Sequence, residues 1–204
     1  MLSILTILTL SMDPMMYALQ KSTHLPGIAV DVGANGGGQT NMALKMDRKV
    51  LAVECLASAY SFLLTMFEKN ENVTLVHICA GSETGLNILN LADDSSSIFK
   101  SNIQHGAEYK KAMRLHNINA HNRQHVVTVR LDDIVSEPVA VLKIDTQGFE
   151  YNVLLGAQSI LKKYRPVVMF EHDSNFQKNG NPLTFFQDNY NCKRMGGDYV
   201  CVPT

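Results

Sequence analysis

Apolar positions along the chain come in two rhythms. Residues 28–31, 50–54, 73–78, 139–145 and 166–171 are short runs with almost no polar interruption, and Asp31, Glu54 and Asp145 close three of them. Continuous runs of this length suit strands buried on both faces of a parallel sheet. Between them lie segments of helical periodicity at 39–45, 57–67 and 150–163; in the second, Tyr60, Leu63, Leu64 and Phe67 recur at i, i+3, i+4 and i+7. Alternating strand and helix predicts an α/β fold around a mainly parallel sheet. Right-handed crossovers carry the loops after these strands to one edge, where open α/β sheets bind ligands.

The rhythm breaks once. Residues 86–91 suit a short extra strand, but 92–125 is polar, with Asp93, Asp94 and Ser95–Ser97 at its start and His105, His116, His121 and His125 further on. Tyr109, Ala112, Met113 and His116 share one helical face, and an insertion of this length is expected to act as a lid over the ligand site. The spacing of the four histidines matches no common structural zinc pattern, so no metal is expected. Residues 126–130 restore a strand-like run. Asp132 and Asp133 follow it; helix-start capping is the expected role rather than a paired-carboxylate site. At the end, Tyr190–Met195 and 198–202 flank Gly196–Gly197, a two-residue connection suited to a tight hairpin. No repeat or linker divides the chain. One domain over 27–204 is expected, carrying the insertion at 92–125 and preceded by an arm or helix at 1–26.

Composition changes this picture little. At 204 residues, 46% hydrophobic and 18% charged, the chain can bury a full core, and its net charge of −1 gives no field that would draw nucleic acid. The cysteines, Cys55, Cys79, Cys192 and Cys201, form no C-x-x-C pair, and reduced, buried thiols are expected. Residues 1–10 are apolar but too short to span a bilayer and lack the basic flank of a secretory signal. A cytoplasmic location without a stable membrane span is expected, a degraded signal or anchor being the alternative.

The candidate chemistry sits after the first strand, in Asp31-Val32-Gly33-Ala34-Asn35-Gly36-Gly37-Gly38. Gly and Asn tolerate positive φ, and such a turn lets the main chain approach a nucleotide-like ligand. As a dinucleotide fingerprint G-x-G-x-x-G the segment fails at Asn35, which takes the middle glycine position. As acid-x-G-x-N-x-G it fits, and that form looks like the first motif of S-adenosylmethionine-dependent methyltransferases. Glu54, about twenty residues after Gly33, suits a ribose diol in either a dehydrogenase or a methyltransferase.

Three segments taken together, Asp31-Val32-Gly33-Ala34-Asn35, Arg130-Leu131-Asp132-Asp133-Ile134 and Lys143-Ile144-Asp145-Thr146-Gln147-Gly148-Phe149-Glu150, closely resemble the FkbM family of methyltransferases. The resemblance implies a Rossmann-like class I methyltransferase fold, whose parallel sheet is closed by a C-terminal antiparallel hairpin. It implies S-adenosylmethionine as methyl donor and a hydroxyl of a sugar or small metabolite as acceptor. Carried over, Asp31, Gly33, Asn35 and Gly37 would hold the methionine end, Asp31 taking its ammonium and the turn N–H groups its carboxylate. Glu54 would hold the ribose, Ala80 and Ser82 would edge the adenine, and Asp145 would lie near donor and acceptor. Asp145 is the first candidate base, with Glu171 and His172 after the fifth strand as alternatives. Gln147 stands where the family usually has Glu, and Ser82 where an acid is frequent. A nicotinamide-dependent oxidoreductase and a donor-binding domain without turnover are the competing readings.

Overall fold

A computed structural model describes residues 12–90, 123–172 and 180–204. Seven strands form one sheet in the order β3-β2-β1-β7-β8-β10-β9: β1 (Ile28–Val32), β2 (Val50–Glu54), β3 (Val73–His77), β7 (Val139–Ile144), β8 (Val167–Glu171), β9 (Tyr190–Met195) and β10 (Asp198–Pro203). The first five pair in parallel, and β10 runs antiparallel to both β8 and β9. Every residue of β1, β2 and β7 is buried, which is why these strands read as unbroken apolar runs. A second, three-stranded sheet joins β4 (Cys79–Ala80) and β5 (Gly85–Asn90) to β6 (Arg123–Val129). The loop read at 79–85 thus begins with a two-residue strand, and the strand read at 126–130 starts three residues earlier.

Two apolar layers flank the main sheet. Val30, Val32, Leu142 and Ile144 point to α5 (Glu150–Leu155) and α6 (Gln158–Tyr164), while Ala29, Ala52, Val141 and Val167 point to α1 (Pro14–Lys21), α2 (Gly38–Leu44) and α3 (Ala57–Phe67). The continuous helix expected over 150–163 is broken at Gly156, where a Cβ would collide with the Gly81 carbonyl oxygen. A single turn, α4 (Leu131–Ile134), precedes β7. Its Asp132 caps a neighbour rather than its own helix: the carboxylate accepts from the N–H groups of Ser159 at 3.0 Å and Ile160 at 3.1 Å, in the first turn of α6.

The cysteines correct the expectation of free thiols. Cys55 is bonded to Cys79 and Cys192 to Cys201, so no described cysteine is free. Each pair follows from strand geometry: Cys192 and Cys201 face each other across β9 and β10, and Cys55 follows β2 where β4 passes. Spacing along the chain does not reveal either pairing. No helix among the described residues is long and apolar enough to cross a membrane. The face at 109–116 and His105, His116 and His121 lie outside the described residues.

Candidate active site

The loops after β1, β2 and β7 meet at the carboxyl edge of the sheet around an open cavity of about 840 Å³, its solvent mouth included. Gly33 and Asn35 line it from the first turn, Glu54, Cys55 and Leu56 from the second, Ile78 and the β4 residues Cys79 and Ala80 from the next, and Asp145, Thr146, Gln147 and Phe149 from the loop after β7. Among the residues expected from sequence, Gly33, Asn35, Glu54, Ala80 and Asp145 come together there. Asp31, Gly37, Ser82, Glu171 and His172 do not line it.

Asp31 sits behind the lining, fully buried. Its Oδ2 accepts from Thr40 Oγ1 at 2.7 Å, and its Oδ1 lies 3.0 Å from Lys143 Nζ. The carboxylate expected to receive a ligand ammonium is therefore occupied by one from the protein. Lys143 also donates to the Gly33 carbonyl at 2.7 Å and the Val32 carbonyl at 3.3 Å, fixing the turn from beneath. Burial alone would lower the pKa of this ammonium, but attraction to Asp31, then Asp145, prevails and holds it above the ordinary lysine value.

The turn itself is tightly built. Gly33 has φ of 73°, and a Cβ there would collide with the Asp145 carbonyl oxygen, so only glycine lets β1 and β7 end this close. The N–H groups of Gly33, Ala34 and Gly37 donate to main-chain carbonyls, and that of Asn35 to Glu54 Oε2 at 2.8 Å. These four donors, expected to meet a ligand carboxylate, are engaged by the protein itself, three of them by Val53 and Glu54 of β2 and one within the turn. Gly37 faces inward; a Cβ there would lie 2.6 Å from the Phe67 ring. Glu54 also accepts from Leu56 N–H at 2.7 Å, which fixes its carboxylate while each oxygen keeps a lone pair for a further donor.

Asp145 is different in kind. Its side chain is 39% exposed, against 0% for Asp31, so it is the acid of the β1–β7 pair that a ligand can reach. Lys143 Nζ lies 3.9 Å from its Oδ2, and Gln147 Nε2 donates to its Oδ1 at 3.0 Å. The same Nε2 donates to Glu171 Oε2 at 2.9 Å. Burial, then the charges of Asp145, Glu150 and Asp198, pushes the Glu171 carboxyl up to about 8. Asp198, opposite Glu171 in the β8–β10 register, is pushed up to about 6 by burial and by Asp145. His172 does not line the cavity; its ring stands edge-on to Tyr199 at 5.2 Å, and its main-chain N–H donates to the Gly197 carbonyl. Ser82 Oγ lies 3.5 Å from Asn152 Nδ2, off the cavity wall. Lys143, Asp198 and the bridging role of Gln147 were not assigned from sequence; the Lys-x-Asp-x-Gln spacing was the available signal.

A parallel sheet closed by an antiparallel hairpin, with a cavity edged by acids from its strand ends, defines a Rossmann-like α/β domain of the class I methyltransferase type. The chain belongs to the FkbM methyltransferase family: the methyltransferase FkbM domain matches residues 31–192. No curated protein matches the chain. Among solved structures, it is similar to the FkbM methyltransferase of Methylobacillus flagellatus KT, with 16% identity and a TM-score of 0.54, over 85% of this chain and 43% of that one. The chain thus spans less than half the length of that protein. It also matches a precorrin-6y C5,15-methyltransferase of Geobacter metallireducens GS-15 at 12% identity and a TM-score of 0.47, over 92% of this chain and 84% of that one. A fibrillarin of Aeropyrum pernix, solved in complex with S-adenosyl-L-methionine, matches at 11% identity and a TM-score of 0.44, over 91% of this chain and 71% of that one. Membership in the FkbM family weighs against the nicotinamide-dependent reading.

Proposed function

We propose that the chain is an S-adenosylmethionine-dependent methyltransferase acting on a hydroxyl oxygen of a sugar or small metabolite. The observation that carries this reading is the pairing of two acids on one cavity, Glu54 from the end of β2 and Asp145 from the end of β7, on either side of β1, within a family of methyltransferases. Their chemistry fits the donor: a fixed carboxylate with spare lone pairs suits a ribose diol, and an exposed carboxylate suits the positively charged end. Gly33, Asn35 and Ala80 would supply the close, uncharged walls. Asp31 supports the site by holding Lys143 under the turn, and Gly37 by packing against Phe67; neither is given a direct contact. Ser82 is left without one.

The donor supplies a methyl group on a positive sulfur; its transfer forms one oxygen–carbon bond, breaks one sulfur–carbon bond and releases the hydroxyl proton. The protein's own work is to align the acceptor and receive that proton. Asp145 lines the cavity and is the first candidate for orienting the acceptor; Glu171 stands one hydrogen-bonding residue behind it. His172, turned toward Tyr199, is the weakest of the three. The net charge of −1 favours a small acceptor over nucleic acid. The two disulfides favour an oxidising compartment over the cytoplasm expected from the sequence.

Calorimetric titration with S-adenosylmethionine and, separately, NAD tests the reading. Binding of the first alone, weakened at least about tenfold by Glu54→Ala through loss of a charged hydrogen-bond acceptor, is the expected result. Binding of NAD alone overturns it. A variant Asp145→Asn that binds the donor normally but turns over unimpaired would remove Asp145 from the proton and orienting roles.

A further inference from the structure

Gln147, in the loop after β7, has an unusual backbone. Its φ is 53°, in the left-handed region where a side chain with a Cβ costs about 1 kcal/mol or more. The loop is clamped in this shape by Glu150, whose Oε1 accepts from Thr146 N–H at 2.9 Å, Gly148 N–H at 3.0 Å and Thr146 Oγ1 at 3.2 Å. Glu150 is itself buried and held above the ordinary carboxylate value by desolvation, against the pull of those N–H donors. So a strained residue is pinned from both sides, and what the strain secures is the place of one amide between two carboxylates.

The orientation of that amide follows from its partners. Nε2 lies 3.0 Å from Asp145 Oδ1 and 2.9 Å from Glu171 Oε2, so both its protons are directed at acids. The flipped amide would set its oxygen against Asp145 Oδ1 and lose the bridge between the two acids. Glu171 is faced by Asp145 from the end of β7, Glu150 from the start of α5 and Asp198 across the β8–β10 register, with His172 next in the chain. Three acids and partial burial all oppose ionisation of Glu171, and the Gln147 amide is the neutral donor placed to favour it.

We propose that Gln147 is a positioning residue, whose amide bridges Asp145 and Glu171 and thereby makes Glu171 the group that accepts the proton of the methyl acceptor's hydroxyl. This rests on the methyltransferase reading above and adds to it the division of labour between the acids. Asp145, on the cavity wall, orients the acceptor and relays the one proton the hydroxyl loses, as its oxygen gains the methyl group, to Glu171, whose carboxyl is hydrogen-bonded to that of Asp145. A glutamate at position 147 would add a fourth acid and remove the bridge.

The test is a pH titration of the whole protein labelled with 13C at the Glu side-chain carboxyls, read by NMR, with the Glu171 signal identified by its loss in Glu171→Gln. Native-like amide spectra establish folding of Gln147→Glu and Gln147→Met. The wild-type Glu171 midpoint is expected near 8, as the burial and surrounding acids dictate. Both variants are expected to raise it by about one pH unit or more, one by adding a like charge, the other by removing the donor. An amide that merely fills space predicts an unchanged midpoint in Gln147→Met. Unchanged midpoints in both variants, or a wild-type midpoint in the ordinary carboxylate range, overturn the proposal. If only one variant folds, its midpoint decides. The titration needs no donor, so failure to bind S-adenosylmethionine would sink the methyltransferase reading separately.

Discussion

Lys143 carries a full charge where almost no water reaches, with 2% of its side chain exposed, against an Asp31 that has none exposed. A buried pair of this kind contributes little net stability compared with an apolar pair, but removing one partner strands the other. Lys143→Met is therefore expected to cost about 3–5 kcal/mol in urea denaturation, and Lys143→Met combined with Asp31→Asn to recover most of that loss. Equal costs for the single and double variants would show that the charge pair is not what the strand ends depend on. Glu171 gives a pH-dependent counterpart. Its carboxyl is raised from 4.5 to about 8, so as pH climbs through that window the unfolded chain releases the proton while the folded chain retains it. Stability must then fall between those pH values and level off above 8; Asp198, raised from 3.8 to about 6, adds a smaller fall lower down. Glu171→Gln cannot titrate. Relative to wild type it should gain about 1–3 kcal/mol between pH 5 and 9, discounted for the part of the carboxylate that stays hydrated, or roughly 2–4 °C in Tm for each kcal/mol. A Tm difference that is flat with pH would exclude the raised carboxyl. At this scale the sequence exposed the acids but not their depth. Asp31 and Asp145 both end apolar runs, yet Asp31 is two residues further from the edge and is enclosed by Thr40 and Lys143, a difference only the β1–β7 register reveals.

Among the elements, those whose pattern answers to burial alone were legible. The ranges read for β2 and α3 coincide with the observed ones, because β2 is apolar on both faces and α3 on one stripe. The break between α5 and α6 was not legible, since a lone glycine in a helical pattern is tolerated and its reason lies in a distant segment. Gly156 has an ordinary negative φ, but a Cβ there would meet Gly81 O and lie 3.3 Å from Arg130 Cα, both backbone atoms that cannot swing aside. Gly156→Ala, neutral or favourable in an exposed helix, is here expected to destabilise the protein by about 1–3 kcal/mol, because α5 must shift against β4. Thermal unfolding of the variant checks this; an unchanged or raised Tm would mean the corner yields without strain. β4 escaped notice for a related reason. Two residues carry no periodicity, and Cys79–Ala80 is a strand only because β6 comes alongside.

Across the molecule, the sheet needs cover on both faces, and the family match from residue 31 leaves part of that cover outside itself. α1 lies upstream of the match and packs on the half of the sheet formed by β7, β8 and β10, burying Met15, Ala18 and Leu19 over Val141, Val167, Met169 and Val200. It is held there by a designed start: Asp13 accepts from Met15 N–H at 2.8 Å and Met16 N–H at 3.1 Å, with Pro14 at the first helical position. The amphipathic pattern of so short a helix did not distinguish an arm from a packed element. Covering those strands with one methionine, one leucine and one alanine contributes about 4–7 kcal/mol of apolar burial, a large part of the 5–15 kcal/mol that keeps a typical domain folded. The α/β core that carries the site should therefore not stand alone. A chain beginning at residue 24 is expected to aggregate or to unfold at markedly lower urea than the full chain, and the milder Leu19→Ala to cost about 2–5 kcal/mol. If the shortened chain instead unfolds at the same urea concentration, α1 is an accessory to the fold, and the β7–β8–β10 face must be covered by other parts of the chain.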